Sequence, residues 1–203
     1  MKKYKLTNET IVHFGFTLYR IEALMDFSDV KAGDKGGFVQ SENNLSQLGN
    51  AWVYDNAKVY GNAWVYGNAK VYGNAWVYDN AKVYGNAWVY DNAFVCGDAE
   101  VYGNAFVCDY VKVRGDAEVY GKAEVRGDAK VYKNSDYIVF KNWWSSRRYF
   151  TWTRSNNMWK VGCFYGNGEE LIKKAYADSE ESGREYERVV KYVESILADE
   201  LNK

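Results

Sequence analysis

Apolar and polar positions in the middle of this chain repeat every six residues. From Ala51 to Asn134 the sequence runs through fourteen hexads without an insertion, beginning AWVYDN, AKVYGN, AWVYGN and ending AEVRGD, AKVYKN. Each hexad has an A-x-V core. Strand alternation puts Ala and Val on one face and the residue between them on the other. A Gly or Asp followed by Asn or Asp comes next; these residues tolerate positive φ, so each hexad ends in a corner. A short strand and a corner every six residues predict a β-solenoid, three hexads making a triangular coil of 18 residues. The 84 residues of Ala51–Asn134 give about 4.7 coils, roughly 22 Å tall at about 4.8 Å per layer. The period favours a left-handed parallel β-helix with Ala and Val filling the bore and Asn stacked at the corners. An antiparallel sandwich would need longer strands and less uniform spacing. Two looser hexads are expected upstream, starting at Val39 and Leu45.

An 18-residue coil dictates what stacks outside. One column reads Trp52, Lys70, Trp88, Phe106, Glu124; a second Lys58, Trp76, Phe94, Lys112, Lys130; a third Trp64, Lys82, Glu100, Glu118. Cations therefore alternate with aromatic rings, a favourable pairing. In residues 51–92, eleven of the fourteen outward positions are aromatic; in residues 93–134, five are aromatic and seven charged. So dense an aromatic surface predicts a wall for self-association or a partner, formed by Trp52, Tyr54, Trp64, Tyr66, Trp76, Tyr78, Trp88 and Tyr90. Ladders that merely staple the coils together are the competing reading.

The flanks break the repeat. TIVHFG and FTLYRIEALMDF read as paired strands around Gly15, and the glycines of DVKAGDKGGFV as tight backbone geometry, since no P-loop Lys-Ser/Thr follows them. Downstream, DYIVFKNWW, RRYFTWTRS and MWKVGCFYG predict three strands with polar turns. EELIKKAYADS predicts a helix, and REYERVVKYVESILADEL, after Ser182-Gly183, a second. The expected fold is mainly β: a β-rich N-terminal cap over 1–38, the left-handed parallel β-helix over 39–134, and a small α+β C-terminal domain over 135–203. Both flanks should cover open solenoid ends.

Lys and Arg number 26 against 27 Asp and Glu, which excludes a globally basic nucleic-acid binder. Locally the picture changes. Residues 136–160 carry Lys141, Arg147, Arg148, Arg154 and Lys160 against one acid, Asp136, interleaved with Trp143, Trp144, Tyr149, Phe150, Trp152 and Trp159. Arginine among stacking aromatics is the composition of a site for an acidic or nucleotide-like ligand, with Trp143, Arg147, Arg148, Trp152, Arg154 and Lys160 as its residues. The alternative is that Phe150 and Trp152 are core and the arginines pair with Glu180, Glu181, Glu185 or Glu187. Gly166-Asn167-Gly168 reads as a turn or as a phosphate-binding helix start. Three cysteines, with Cys163 expected inside a strand, one histidine and no C-x-x-C predict neither a disulfide nor a metal site. No apolar run approaches a membrane span, and MKKYKLTNET has no signal-peptide core, so a cytoplasmic protein is expected.

The hexads, together with TLYRIEALMDFSDVKAGDKGGFVQSENNLSQLGNAWVYDNA (17–57) and MWKVGCFYGNGEELIKKAY (158–176), resemble bacterial and prophage-type hexapeptide-repeat proteins. These are labelled acyltransferases within the left-handed β-helix family. The resemblance implies a CoA-dependent acyltransferase working as a trimer, with a histidine on a coil as general base. Here residues 39–134 contain no histidine and no loop thrown out between coils, so no catalytic residue carries over; the three-histidine zinc set of γ-class carbonic anhydrases is missing too. The lone His13 lies outside the coils. The chain therefore reads first as a non-enzymatic binding protein with no cofactor. Its expected partners are a second copy, as dimer or trimer, and another protein. A phage setting would suit inhibition of a host defence protein or sequestration of a nucleotide signal. An acyltransferase and a purely structural solenoid are the alternatives.

Overall fold

A computed structural model describes residues 2–201 and divides the chain into two compact units, Met1–Asp136 and Tyr137–Lys203.

The first unit is a parallel β-solenoid. Each of the fourteen hexads supplies one two-residue strand, from β4 (Trp52–Val53) to β17 (Lys130–Val131). Every strand but the last three pairs in parallel with the strand 18 residues on, as in Val53, Val71, Val89, Val107 and Val125. The Ala and Val columns are fully buried, so small side chains are what the narrow bore admits. At the corners the left-handed residue is Gly or Asp: φ is 67° at Gly61 and 51° at Asp55. Aspartate is accepted there because its carboxylate reaches the next layer, as when Asp55 Oδ2 accepts from Gly73 N at 3.1 Å and Asp109 Oδ2 from Gly127 N at 2.8 Å. The following asparagines form amide ladders, Asn50 to Asn68 at 3.1 Å, Asn68 to Asn86 at 3.0 Å and Asn86 to Asn104 at 3.3 Å.

The start of the solenoid departs from the expected frame. Val39 pairs with Val59 and Leu45 with Val65, an offset of 20 residues, whereas Asn50 already faces Asn68. Val39 and Leu45 thus hold valine positions of their hexads instead of opening them. The two extra residues fall in Ser46–Gly49, where Leu48 is exposed.

Before the coils, β1 (Tyr4–His13) and β2 (Phe16–Ala23) form a hairpin closed by Phe14 and Gly15, both with positive φ (46° and 84°). Two such residues make the primed turn that matches strand twist. β2 pairs antiparallel with β3 (Lys35–Val39), and β3 pairs in parallel with the Lys58–Val59 strand. The hairpin thereby extends one solenoid sheet to eight strands. It also covers the first coil: Tyr4 and Phe27 pack edge-on against Trp52, and Lys3 Nζ donates to Ala51 O at 2.8 Å. Burial pushes the Lys3 ammonium down to about 8.

The second unit is a four-stranded antiparallel meander, β18 (Tyr137–Lys141), β19 (Tyr149–Thr153), β20 (Met158–Val161) and β21 (Phe164–Gly166), followed by α1 (Gly168–Asp178) and α2 (Glu180–Leu201). Phe150, Trp152, Trp159 and Val161 pack with Leu171, Ala175, Tyr186, Val190 and Val193 from the helices. The third expected strand is a hairpin, because Gly162 turns the chain at φ 55° and leaves Cys163 exposed at the bend rather than inside a strand. The second helix begins before Ser182-Gly183, not after it. Gly183 lies within α2 because it faces the Tyr176 ring of α1, where a Cβ would come within 2.2 Å of a ring carbon. Among the described residues, no helix is long and apolar enough to cross a membrane.

Candidate functional site

The expected aromatic wall is not one surface. A tryptophan every 12 residues on an 18-residue coil distributes Trp52 and Trp88 to one sheet, Trp76 to a second and Trp64 to the third. Trp52 is buried beneath Tyr4 and Phe27, and Trp76 lies under His13 at 4.4 Å and Phe14 at 5.7 Å. Trp64 is exposed and stacks on Tyr66 at 4.0 Å. Tyr66, Tyr84, Tyr102 and Tyr120 stack nearly parallel at 4.8, 4.9 and 5.2 Å; Tyr60–Tyr78 and Tyr72–Tyr90 do the same at 5.2 and 4.9 Å. Rings that face one another along the axis staple layers together. The cations split two ways. Lys58 lies over Trp76 and Lys70 over Trp88, whereas Lys82 pairs with Glu100 at 2.8 Å.

His13 sits in a ring cage of Trp76, Phe14 at 4.6 Å and Tyr60 at 5.5 Å. Its Nε2 is buried with no hydrogen-bond partner among the described residues, and burial plus the nearby Lys58 push its pKa down. The ring is half-buried at the tip of the hairpin, outside the coils.

A pocket of about 200 Å³ opens on the sheet that carries Trp88. Its walls are Tyr54, Tyr72, Trp88, Asp55, Lys70 and, from the β2–β3 loop, Asp29. Asp29 follows Ser28, whose φ of 47° and the Phe27–Val30 bridge shape a tight turn. Asp29 Oδ1 accepts from Lys70 Nζ at 2.7 Å and from the Tyr54 hydroxyl at 3.0 Å. Lys70 Nζ also lies 5.5 Å from the centroids of Tyr54 and Trp88. The Lys70 hydrogen bond holds the Asp29 carboxyl down to about 2, and burial with the Asp29 charge pushes the Tyr54 phenol up. Since the folded value of Asp29 lies below its ordinary 3.8, its contribution to stability is complete above that value and is lost as pH falls toward 2. Asp29→Asn is therefore expected to be less stable than wild type at neutral pH, with the gap closing across that acid window in equilibrium unfolding; a pH-independent gap would refute the tether.

The basic-aromatic segment of the second unit is only partly a surface. Trp143, Arg147 and Arg148 are exposed, and Lys141 Nζ lies 3.8 Å above the Trp143 ring. Trp152 is core: it is 1% exposed, and its indole N–H donates to Asn157 Oδ1 at 2.8 Å. Lys160 is also buried, its ammonium turned to the Gly162 carbonyl. Arg154 pairs with Glu200 at 2.5 Å. Strand β19 buries both faces over Phe150–Thr153, so Trp152 is packed in the core and does not share the exposed surface of Trp143, Arg147 and Arg148. Three of the four helix acids expected to meet the arginines pair within α2 instead, Glu180 with Arg184, Glu185 with Arg188 and Glu187 with Lys191.

Among the described residues, Asp91, Cys108 and Asp109 are close enough to share a cation. Burial pushes the Cys108 thiol up to about 11.

The coils, their 18-residue register and the buried Ala/Val bore define a hexapeptide-repeat β-solenoid protein. The YdcK β-solenoid repeat model matches residues 51–67 and 63–79. The chain is also similar to the "Uncharacterized acetyltransferase YdcK" of Escherichia coli (strain K12), at 39% identity over 64 residues, 27% of this chain and 19% of that protein. The match thus spans about a fifth of the relative's length.

Proposed function

We propose that this solenoid is a non-enzymatic binding protein and that the pocket at Asp29 receives a cationic side chain, lysine or arginine, of a protein partner. One observation carries the reading: the pocket already holds an ammonium, Lys70, between the Asp29 carboxylate and the faces of Tyr54 and Trp88. Asp55 adds a second carboxylate, so the walls carry one more negative than positive charge and Tyr72 completes the ring set. Carboxylates and aromatic faces together suit a guanidinium or an ammonium, while the same carboxylates oppose a phosphate. Titration of the protein with N-acetyl-arginine amide, followed at the tryptophan indole resonances, should shift the Trp88 signal. Asp55→Asn should weaken that binding by about three- to fivefold, the range of a solvent-accessible ion pair. A Trp88 signal unmoved by the arginine probe would end this reading.

A second reading, a CoA-dependent acyltransferase, is favoured by the similarity to the Escherichia coli protein named an uncharacterized acetyltransferase. It would need a base from outside the coils, since residues 39–134 contain no histidine. Turnover of acetyl-CoA by the purified chain, in the absence of arginine binding, would establish it over the first.

A further inference from the structure

The second unit contains a separate pocket of about 300 Å³ at the first turn of α1. Its donors outnumber its uses. In the capping box, Asn167 Oδ1 accepts from Glu170 N at 2.9 Å and the Glu170 carboxylate accepts from Asn167 N at 3.0 Å. The backbone N–H groups of Gly168 and Glu169 have no acceptor among the described residues, as the first turn of a helix dictates. Beside them is a second donor with no protein acceptor there, the indole N–H of Trp159, a side chain only 2% exposed. Its Nε1 lies at Gly168, where a Cβ would come within 3.5 Å of it. Gly168 cannot be larger, since that Cβ would also fall 2.7 Å from Val190 Cγ1. An unpartnered N–H on a packed indole that lines a pocket beside a helix N-terminus is an arrangement for a carboxylate.

The rest of the lining narrows the ligand. Glu169 and Glu194 line the same pocket and are exposed, and neither makes an ion pair among the described residues. Val190 and Val193 supply an apolar surface. Two carboxylates disfavour a dianion such as phosphate, and they favour a ligand that carries its own cation next to its carboxylate. We infer that this pocket binds a small zwitterion, an α-amino acid with an apolar side chain. Its carboxylate is held by the Gly168 and Glu169 N–H groups and the Trp159 indole, its ammonium by Glu169 and Glu194, and its side chain lies on Val190 and Val193.

The test uses the full chain and the indole N–H resonances of its eight tryptophans, with Trp159→Phe identifying the Trp159 signal. L-Leucine should shift that signal saturably. Leucinamide, which lacks the carboxylate, and 4-methylpentanoate, which lacks the ammonium, should each bind at least about tenfold more weakly, the loss of a hydrogen-bonded charge. Glu194→Gln, an exposed change that leaves the core intact, should weaken leucine by about threefold. Phosphate or 4-methylpentanoate binding as tightly as leucine would overturn the assignment. So would a Trp159 signal unmoved by leucine at about 10 mM.

Discussion

Truncating Trp152 to alanine will unfold the second unit and leave the solenoid standing. Trp152 is 1% exposed and packs with Phe150, Trp159 and Val161 of the sheet against Leu171, Val190 and Val193 of the helices. Removing a buried indole costs about 3–5 kcal/mol, because lost burial is compounded by the cavity left behind. A unit as small as Tyr137–Lys203 has only a few kcal/mol to lose. Helices α1 and α2 both lie in this unit, so the helical circular-dichroism signal reports on it selectively. That signal should melt at least about 12 °C lower in Trp152→Ala, or be absent from the start. Arg148→Ala, in the same strand region but exposed, should stay within about 0.5 kcal/mol of wild type. An unchanged helical melt in Trp152→Ala would mean that the indole is not core.

The two tryptophan groups show what was legible in the sequence. Hexads of constant length make the coil register computable: the three columns written from spacing alone are the paired columns of the structure. The same arithmetic sends the tryptophans to three faces, and treating them as one wall ignored it. Elsewhere the signal was weaker. The turn at Gly162-Cys163 has no Asn or Asp to mark it, so two short strands read as one. Gly183 reads as a break because sequence does not show the Tyr176 ring that requires it. Trp152 and Lys160 look like surface contacts by composition, and only the two-faced burial of β19 and the neighbouring β20 shows them packed inward. Asp29 has no sequence signal. Its partner Lys70 is 41 residues away, and a single aspartate in a non-repetitive loop carries no pattern.

That loop is held by the joint between the antiparallel hairpin and the parallel coils, and the joint depends on Gly36 and Gly37 in β3. Neither has a left-handed backbone, so glycine serves here by taking no room. A Cβ at Gly36 would lie 2.5 Å from Val53 O and 2.6 Å from Ile21 Cγ1; at Gly37 it would lie 2.6 Å from Ala57 O. Ala57 O cannot swing aside without losing its bond from Phe38 N at 2.9 Å, one of the bonds that dock β3 on the first full coil. Gly36→Ala, whose Cβ would meet the Val53 carbonyl of the solenoid and Ile21 of β2, should likewise push β3 off the solenoid at a cost of about 3 kcal/mol, the upper end for overpacking. That lowers the melting temperature of the solenoid unit by roughly 6–12 °C. Gly15→Ala is the comparison. Its site is open but its φ is 84°, so it carries only backbone strain, about 1–2 kcal/mol. The loop that carries Asp29 should loosen in Gly36→Ala and not in Gly15→Ala, and the Asp29 carboxyl should then titrate closer to its ordinary 3.8. A Gly36→Ala protein with wild-type melting and an Asp29 carboxyl still held near 2 would show that β3 adapts. The pocket would then not depend on this joint.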